Sequence, residues 1–282
     1  MASCRLYYTL LLIFLTSFAV SNGRLYKDFN NLESSYATIT VAKSNQAHFS
    51  TIQSAIDSIP SNNMNWVFIN VKAGIYREKV TIPQDKPFIV LQGEGMYKSQ
   101  IVYDNHENLI QSVTFHVLAD DFVATNIGFV NSYNHVEIME ENPMRQAAAA
   151  LVQGDKAAFY GCGFFGLQDT LWDEQGRHYF RNCTIEGAVD FIFGNGQSIY
   201  EKCKISALGN EIGGVGYITA QGRSLENETT GFVFKYCNVE GNGKMYLGRA
   251  WRQYSRVLFY MSYLADIIVP QGWDEWYATP NE

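Results

Sequence analysis

The chain has 282 residues, of which 47% are apolar and 17% charged, with a formal net charge of −7 at neutral pH. That length suits one large domain or two small ones, and so high an apolar share excludes a disordered chain. The acidic balance gives no support for nucleic-acid binding.

At the N-terminus Arg5 precedes an apolar run from Leu6 to Val20, followed by Ser21-Asn22-Gly23. A charged start, a short apolar stretch and a small, polar end predict a secretory signal peptide over residues 1–23. The run is short for a membrane span, and no later segment reads as one. Residues 24–282 contain no Pro/Gly/Ser-rich linker and no charge block, so they read as a single domain. Export would place Cys162, Cys183, Cys203 and Cys237 in an oxidising compartment, open to bridging or to packing as buried thiols. No C-x-x-C pair or histidine cluster suggests zinc.

The one clear helical pattern lies near Phe49–Ile59, with Ile52, Ala55, Ile56 and Ile59 at helical spacing and Pro60 ending it. From there on the dominant signal is a recurring cassette: an aromatic, two residues, a small residue, one residue, an apolar residue. It reads Phe159-Tyr-Gly-Cys162-Gly-Phe164, Phe180-Arg-Asn-Cys183-Thr-Ile185, Tyr200-Glu-Lys-Cys203-Lys-Ile205 and Phe234-Lys-Tyr-Cys237-Asn-Val239. With the cysteine replaced it also fits Phe122-Val-Ala-Thr125-Asn-Ile127 and Phe259-Tyr-Met-Ser262-Tyr-Leu264. Each cassette reads as a strand, and a repeat of 20 to 40 residues signals a solenoid. The fold class predicted is all-β, a single-domain parallel β-helix. A β-sandwich would also supply strands but has no reason to repeat one cassette. The intervals at 125–162 and 203–237 are long, leaving room for loops or for an extra coil. Sequons occur at Asn227-Glu-Thr229, in a polar loop-like stretch, and at Asn182-Cys-Thr184, expected to be buried in a cassette strand.

The repeat places chemistry. Asp169 follows Cys162 by the same seven residues by which Asp190 follows Cys183. Two acids at one phase of consecutive coils should be near neighbours. Carboxylates that close resist ionising together, so one keeps its proton and the pair can act as acid and nucleophile. Arg249 beside one of them would fix which is ionised. Gln146 and Gln168 could donate to an oxyanion, and Phe193, Trp172 and Trp251 could stack on sugar rings. Two carboxylates could cleave a glycosidic bond or an ester; the glutamines tilt towards acyl chemistry, since a glycosidase transition state has no oxyanion. No Ser-His-Asp arrangement or G-x-S-x-G motif is present.

These segments, with Gly74-Ile-Tyr-Arg-Glu78, Asp190-Phe-Ile-Phe-Gly194, Tyr217-Ile-Thr-Ala-Gln-Gly-Arg223 and Leu247-Gly-Arg-Ala-Trp251, resemble those of plant-type pectinesterases (pectin methylesterases) over residues 36–277. The resemblance implies a right-handed parallel β-helix that removes methyl esters from pectin galacturonate, releasing methanol, with no metal or organic cofactor. By motif position Asp190 would be the nucleophile and Asp169 the acid/base. Gln146 and Gln168 would stabilise the oxyanion, Arg249 would hold Asp190, and Trp251 and Phe193 would line the cleft. Thr114 would match a substrate-side threonine. The implied setting is the cell wall, and the implied partners are methylated homogalacturonan and a proteinaceous inhibitor, with the enzyme a monomer that meets neither nucleic acid nor membrane. Ala250 stands where the family has proline, and the family's C-terminal cover of the last coils and N-terminal pro-region are not seen. A non-catalytic pectin-binding wall protein and a pectin-backbone hydrolase or lyase are the alternative readings.

Overall fold

The computed structural model describes residues 37–44, 47–134 and 144–276. The expected signal peptide lies outside the described residues. Three parallel sheets wrap a common core, with nine, eight and eight strands. The first runs from Ala37–Val41 to Val257–Tyr260, the second from Gly74–Arg77 to Tyr263–Leu264, and the third from Val80–Ile82 to Trp273–Asp274. Each coil contributes one strand to each sheet in turn, so the molecule is a parallel β-helix, as the repeat predicts.

The cassette is a corner of this helix. Its aromatic lies on the first sheet, where Phe159, Phe180, Tyr200, Phe234 and Phe259 are register partners. Their rings stack inside the core at centroid separations of 4.9, 4.6, 4.5 and 4.6 Å. The third cassette residue turns the chain. Gly161, Asn182, Lys202, Tyr236 and Met261 all adopt left-handed φ values, between 48° and 59°. The cysteine then points inward. All four are free and buried, and three thiols reach carbonyl oxygens of the preceding coil: Cys183 to Phe159, Cys203 to Phe180 and Cys237 to Tyr200, at 3.2–3.4 Å. The ladder is thus made of buried thiols.

Two expectations need correction. The Phe122 cassette is two residues out of register: Ala124, not Phe122, pairs with Phe159, and Thr125 pairs with Tyr160. A shift of two leaves every side chain on its own face, so an alternating pattern does not penalise it. Phe122 still fills the core beside Phe159, at 5.8 Å. Asn182 is exposed rather than buried, because the cassette bends there instead of running straight. Among the described residues the long intervals add no extra coil to the first sheet, which passes directly from Phe122–Thr125 to Ala157–Tyr160 and from Gln197–Glu201 to Gly231–Lys235.

The helix Ile52–Asp57 is shorter than its apolar pattern. The Glu78 carboxylate accepts from the backbone N–H groups of Ile52 and Gln53, and the Lys86 ammonium donates to the carbonyls of Ile56 and Asp57. Charge of the favourable sign thus sits at each end of the helix dipole. Ile52, Ala55 and Ile56 bury their side chains in the main core.

The cysteine ladder is testable. A small alkylating reagent is expected to leave the folded chain's four core cysteines unmodified and to label all four after denaturation without reductant. Labelling of only two would reveal a bridge.

Candidate active site

The third sheet builds the site. Its strands Leu171–Asp173, Val189–Gly194, Val215–Gln221 and Lys244–Ala250 lie side by side, and Trp273–Asp274 closes the row. Gln168 bridges to Val189, and the Asp169 N–H donates to the Val189 carbonyl at 3.0 Å. Asp169 and Asp190 therefore occupy equivalent places on adjacent coils, as their spacing predicts. Both have left-handed φ, +61° and +48°, a region that aspartate tolerates better than most residues. The register of Val189–Gly194 against Val215–Gln221 slips between Val189 and Ile192. This irregularity surrounds Asp190, and bulges of this kind re-aim a side chain.

Both carboxyl groups are nearly out of water: Asp169 is 3% exposed and Asp190 7%. Arg249 meets Asp190 with two hydrogen bonds, Nε to Oδ1 at 2.8 Å and Nη2 to Oδ2 at 2.5 Å. Burial, and then the charge of Asp190, pushes the Asp169 carboxyl up to about 8, against the pull of the Gln146 amide and of Arg249. Burial also raises Asp190, opposed by the hydrogen bonds and charge of Arg249. A bidentate guanidinium favours the carboxylate strongly. The pair's proton accordingly belongs on Asp169, and the ionised member is Asp190.

The Gln146 amide lies close enough to Asp169 to favour its charged form, and Gln146 and Gln168 line a cavity of about 280 Å³, bounded also by His106, Asn108, Met144 and Arg145. Two neutral amides at the mouth of a buried carboxyl pair can receive developing negative charge without titrating. Past the aspartates the floor is aromatic. Trp172 stacks on Phe193 at 5.4 Å, and Phe193 meets Trp251 edge-on at 6.0 Å. The indole of Trp172 is fixed by donating to Glu174 at 2.6 Å.

The structure thus brings Asp169, Asp190, Gln146, Gln168, Arg249, Phe193 and Trp251 together on one face. Thr114 does not join them. It is fully buried, and its hydroxyl donates to the Val130 carbonyl at 3.1 Å, so it braces the second sheet. Two residues at the site were not singled out from the sequence, Tyr217 and Trp276. Their ring centroids lie 4.1 and 3.8 Å from Arg249 Cζ. Tyr217 opens one of the sequence segments quoted above; Trp276 carries no signal of its own. Among the described residues no group of three or more His, Cys, Asp or Glu side chains could hold a metal ion.

Comparison with known proteins agrees with this geometry. The sequence profile of the Pectinesterase family matches residues 38–281. "Probable pectinesterase 55" of Arabidopsis thaliana is 57% identical over 242 residues, covering 84% of this chain and 73% of that protein. "Probable pectinesterase 29" of the same plant is 55% identical over 248 residues, covering 86% and 74%. Among solved structures, pectin methylesterase from carrot superposes with a TM-score of 0.78 at 31% identity, covering 85% of this chain and 77% of that one. The enzyme from Aspergillus niger gives 0.76 at 32%, covering 86% and 82%. The chain belongs to the pectinesterase family, the pectin methylesterases, and shares their right-handed parallel β-helix.

The raised Asp169 carboxyl has a thermodynamic consequence. In the unfolded chain it titrates near its ordinary value of 3.8, in the folded chain near 8. Between these values the unfolded state has released the proton and the folded state has kept it, so this group's contribution to stability falls as pH rises, by at most about 1.4 kcal/mol per unit. Asp169→Asn removes that loss. Its melting temperature relative to wild type is expected to climb from pH 4 to pH 8; a constant difference across that window would contradict the burial argument.

Proposed function

We propose that this pectinesterase removes methyl esters from the galacturonate units of pectin by an acyl-enzyme route, with Asp190 as nucleophile and Asp169 as acid and then base. The observation that carries this reading is the asymmetric pair: one buried carboxylate gripped by Arg249 and, one coil away, a carboxyl that holds its proton to about pH 8.

In the first half-reaction an Asp190 oxygen attacks the ester carbonyl carbon. Gln146 and Gln168 donate to the oxyanion as the carbon becomes tetrahedral. The intermediate collapses, the C–OCH3 bond breaks, and the departing oxygen takes the Asp169 proton and leaves as methanol. An acyl anhydride to Asp190 remains. Asp169, now a carboxylate, takes a proton from water as that water attacks the same carbonyl carbon. Collapse frees the Asp190 carboxylate and the galacturonate carboxyl, and Asp169 is left holding the proton it took from water. The sum is ester plus water giving acid plus methanol, and no external acid or base is needed. Arg249 keeps Asp190 ionised and limits its rotation. Phe193, Trp172 and Trp251 offer apolar faces for sugar rings.

A polymeric substrate is supported by a solved pectin methylesterase in complex with a hexasaccharide, 25% identical to this chain with a TM-score of 0.74. Export to the cell wall as one catalytic domain, residues 24–282, is supported by the leader pattern of residues 1–23 and by the plant relatives.

The expected result with highly methylated pectin is methanol release that disappears in Asp190→Ala. Asp169→Asn should lose about 10²- to 10⁴-fold in rate, and Gln146→Ala or Gln168→Ala about 10²- to 10³-fold. kcat/KM should fall above about pH 8, as Asp169 gives up the proton it must donate, and fall on the acid side as Asp190 gains one. Pectin binding without methanol release by the folded wild-type chain would favour a non-catalytic wall protein instead.

A further inference from the structure

Arg249 makes contacts that the reaction scheme above does not use. One edge of its guanidinium holds both oxygens of Asp190. Its faces are also occupied: Tyr217, on the strand one coil before, lies 4.1 Å from Cζ to ring centroid, and Trp276, just past the strand one coil after, lies 3.8 Å away. Two rings that close to one carbon cannot share a face, so the guanidinium is sandwiched.

The closing coil is shaped for this. Gly272 turns the chain at φ +72°, and its carbonyl accepts from the Leu247 N–H at 2.7 Å. Trp273 and Asp274 then pair in register with Gly248 and Arg249. The Asp274 carboxylate accepts from the Trp276 N–H at 2.7 Å, which turns the indole back over its neighbour strand. On the other side Tyr217 stacks on Tyr246 at 5.4 Å and 8°, so that ring is held as well. A long arginine side chain left to itself samples many rotamers and loses entropy when it is held. Two fixed rings limit the guanidinium to one plane and shield it from water, which strengthens its hold on a carboxylate in that plane.

We propose that Trp276 and Tyr217 are positioning residues for the esterase reaction, clamping Arg249 so that it keeps Asp190 ionised and aimed at the ester carbon. The proposal rests on the reading of Asp190 as nucleophile. The charged and titratable groups facing Asp190 are Arg249 from Lys244–Ala250, Asp169 from the preceding coil and Tyr217 from Val215–Gln221, with Asp274 facing Arg249 from Trp273–Asp274. Loosening Arg249 removes the one cation among those facing Asp190 and leaves burial unopposed.

The test has two readouts on wild type, Trp276→Ala and Trp276→Phe. The first needs no turnover: titration of the Asp190 carboxyl by carbon-13 NMR. It should occur at higher pH in Trp276→Ala than in wild type and return towards wild type in Trp276→Phe. The second is methanol release. In Trp276→Ala kcat should fall roughly two- to thirtyfold, the range expected for one cation–π contact, with KM within about twofold and the acid limb of the profile moved up. Should Trp276→Ala fail to fold, Tyr217→Leu reads the opposite face with the closing coil intact and should shift both quantities in the same directions. An unchanged Asp190 titration in the folded variant overturns the proposal, as does a Trp276→Phe chain no nearer wild type than Trp276→Ala. Absence of methanol release by wild type would sink the esterase reading alone, since the titration still judges the clamp.

Discussion

In-register parallel stacking is the constraint on which everything else in this molecule depends. Once each strand pairs with its equivalent one coil away, sequence spacing becomes spatial position, and residues at one phase form a column. The aromatic column from Phe159 to Phe259 is one product of this rule, and the thiol column beside it is another. The aspartates are a third column, only two residues long. Their proximity needs no loop to fold over and no domain to close. It follows from the same ladder that holds the core, so the pair is placed by regular sheet structure rather than by a loop.

That placement matters because the column sets two carboxyl groups together in a nearly dry place. Left alone, burial would favour the protonated form of both. Arg249 resolves this by favouring one carboxylate over the other, and it comes from further along the chain, on Lys244–Ala250. Its register column runs through Ala220, Phe193 and Trp172. The small side chain of Ala220 leaves space between Arg249 and the aromatic floor. The bulge at Asp190 and the reach of an arginine side chain then bring the charges together.

How much of this could be read from the sequence follows from what kind of information each feature carries. Cassette and aspartate phase are periodic, and periodicity survives without coordinates; both appear in the structure as expected. The Phe122 cassette slipped by two because strand alternation cannot distinguish registers two residues apart. The coils before it gave no cassette at all, since Ile69 and Leu91 fill the position that Phe159 fills later. Asn182 and Thr114 were misplaced for a related reason. Pattern tells which residues recur but not where a strand bends, and not whether a hydroxyl faces the cleft or a neighbouring carbonyl. Tyr217 and Trp276 depend on stacking across three coils around one side chain, and no linear spacing records that.

The backbone at the two aspartates shows how function is superimposed on the repeat. The solenoid already uses left-handed residues at the corner between its first and second sheets, where Asn182 and Lys202 are typical. At the entry to the third sheet it uses that conformation at Asp169 and Asp190 and at no other described residue of that column. A left-handed residue breaks the strand's side-chain alternation, so a side chain that alternation would send into the core is carried to the cleft face. For a β-branched or bulky residue this would be strained; aspartate bears it at modest cost. The conformation and the chemistry thus ask for the same residue type at the same place. A repeat that tolerates a left-handed residue at its corners needs only to admit one more per coil, in two consecutive coils, to present a carboxyl pair on an otherwise structural sheet.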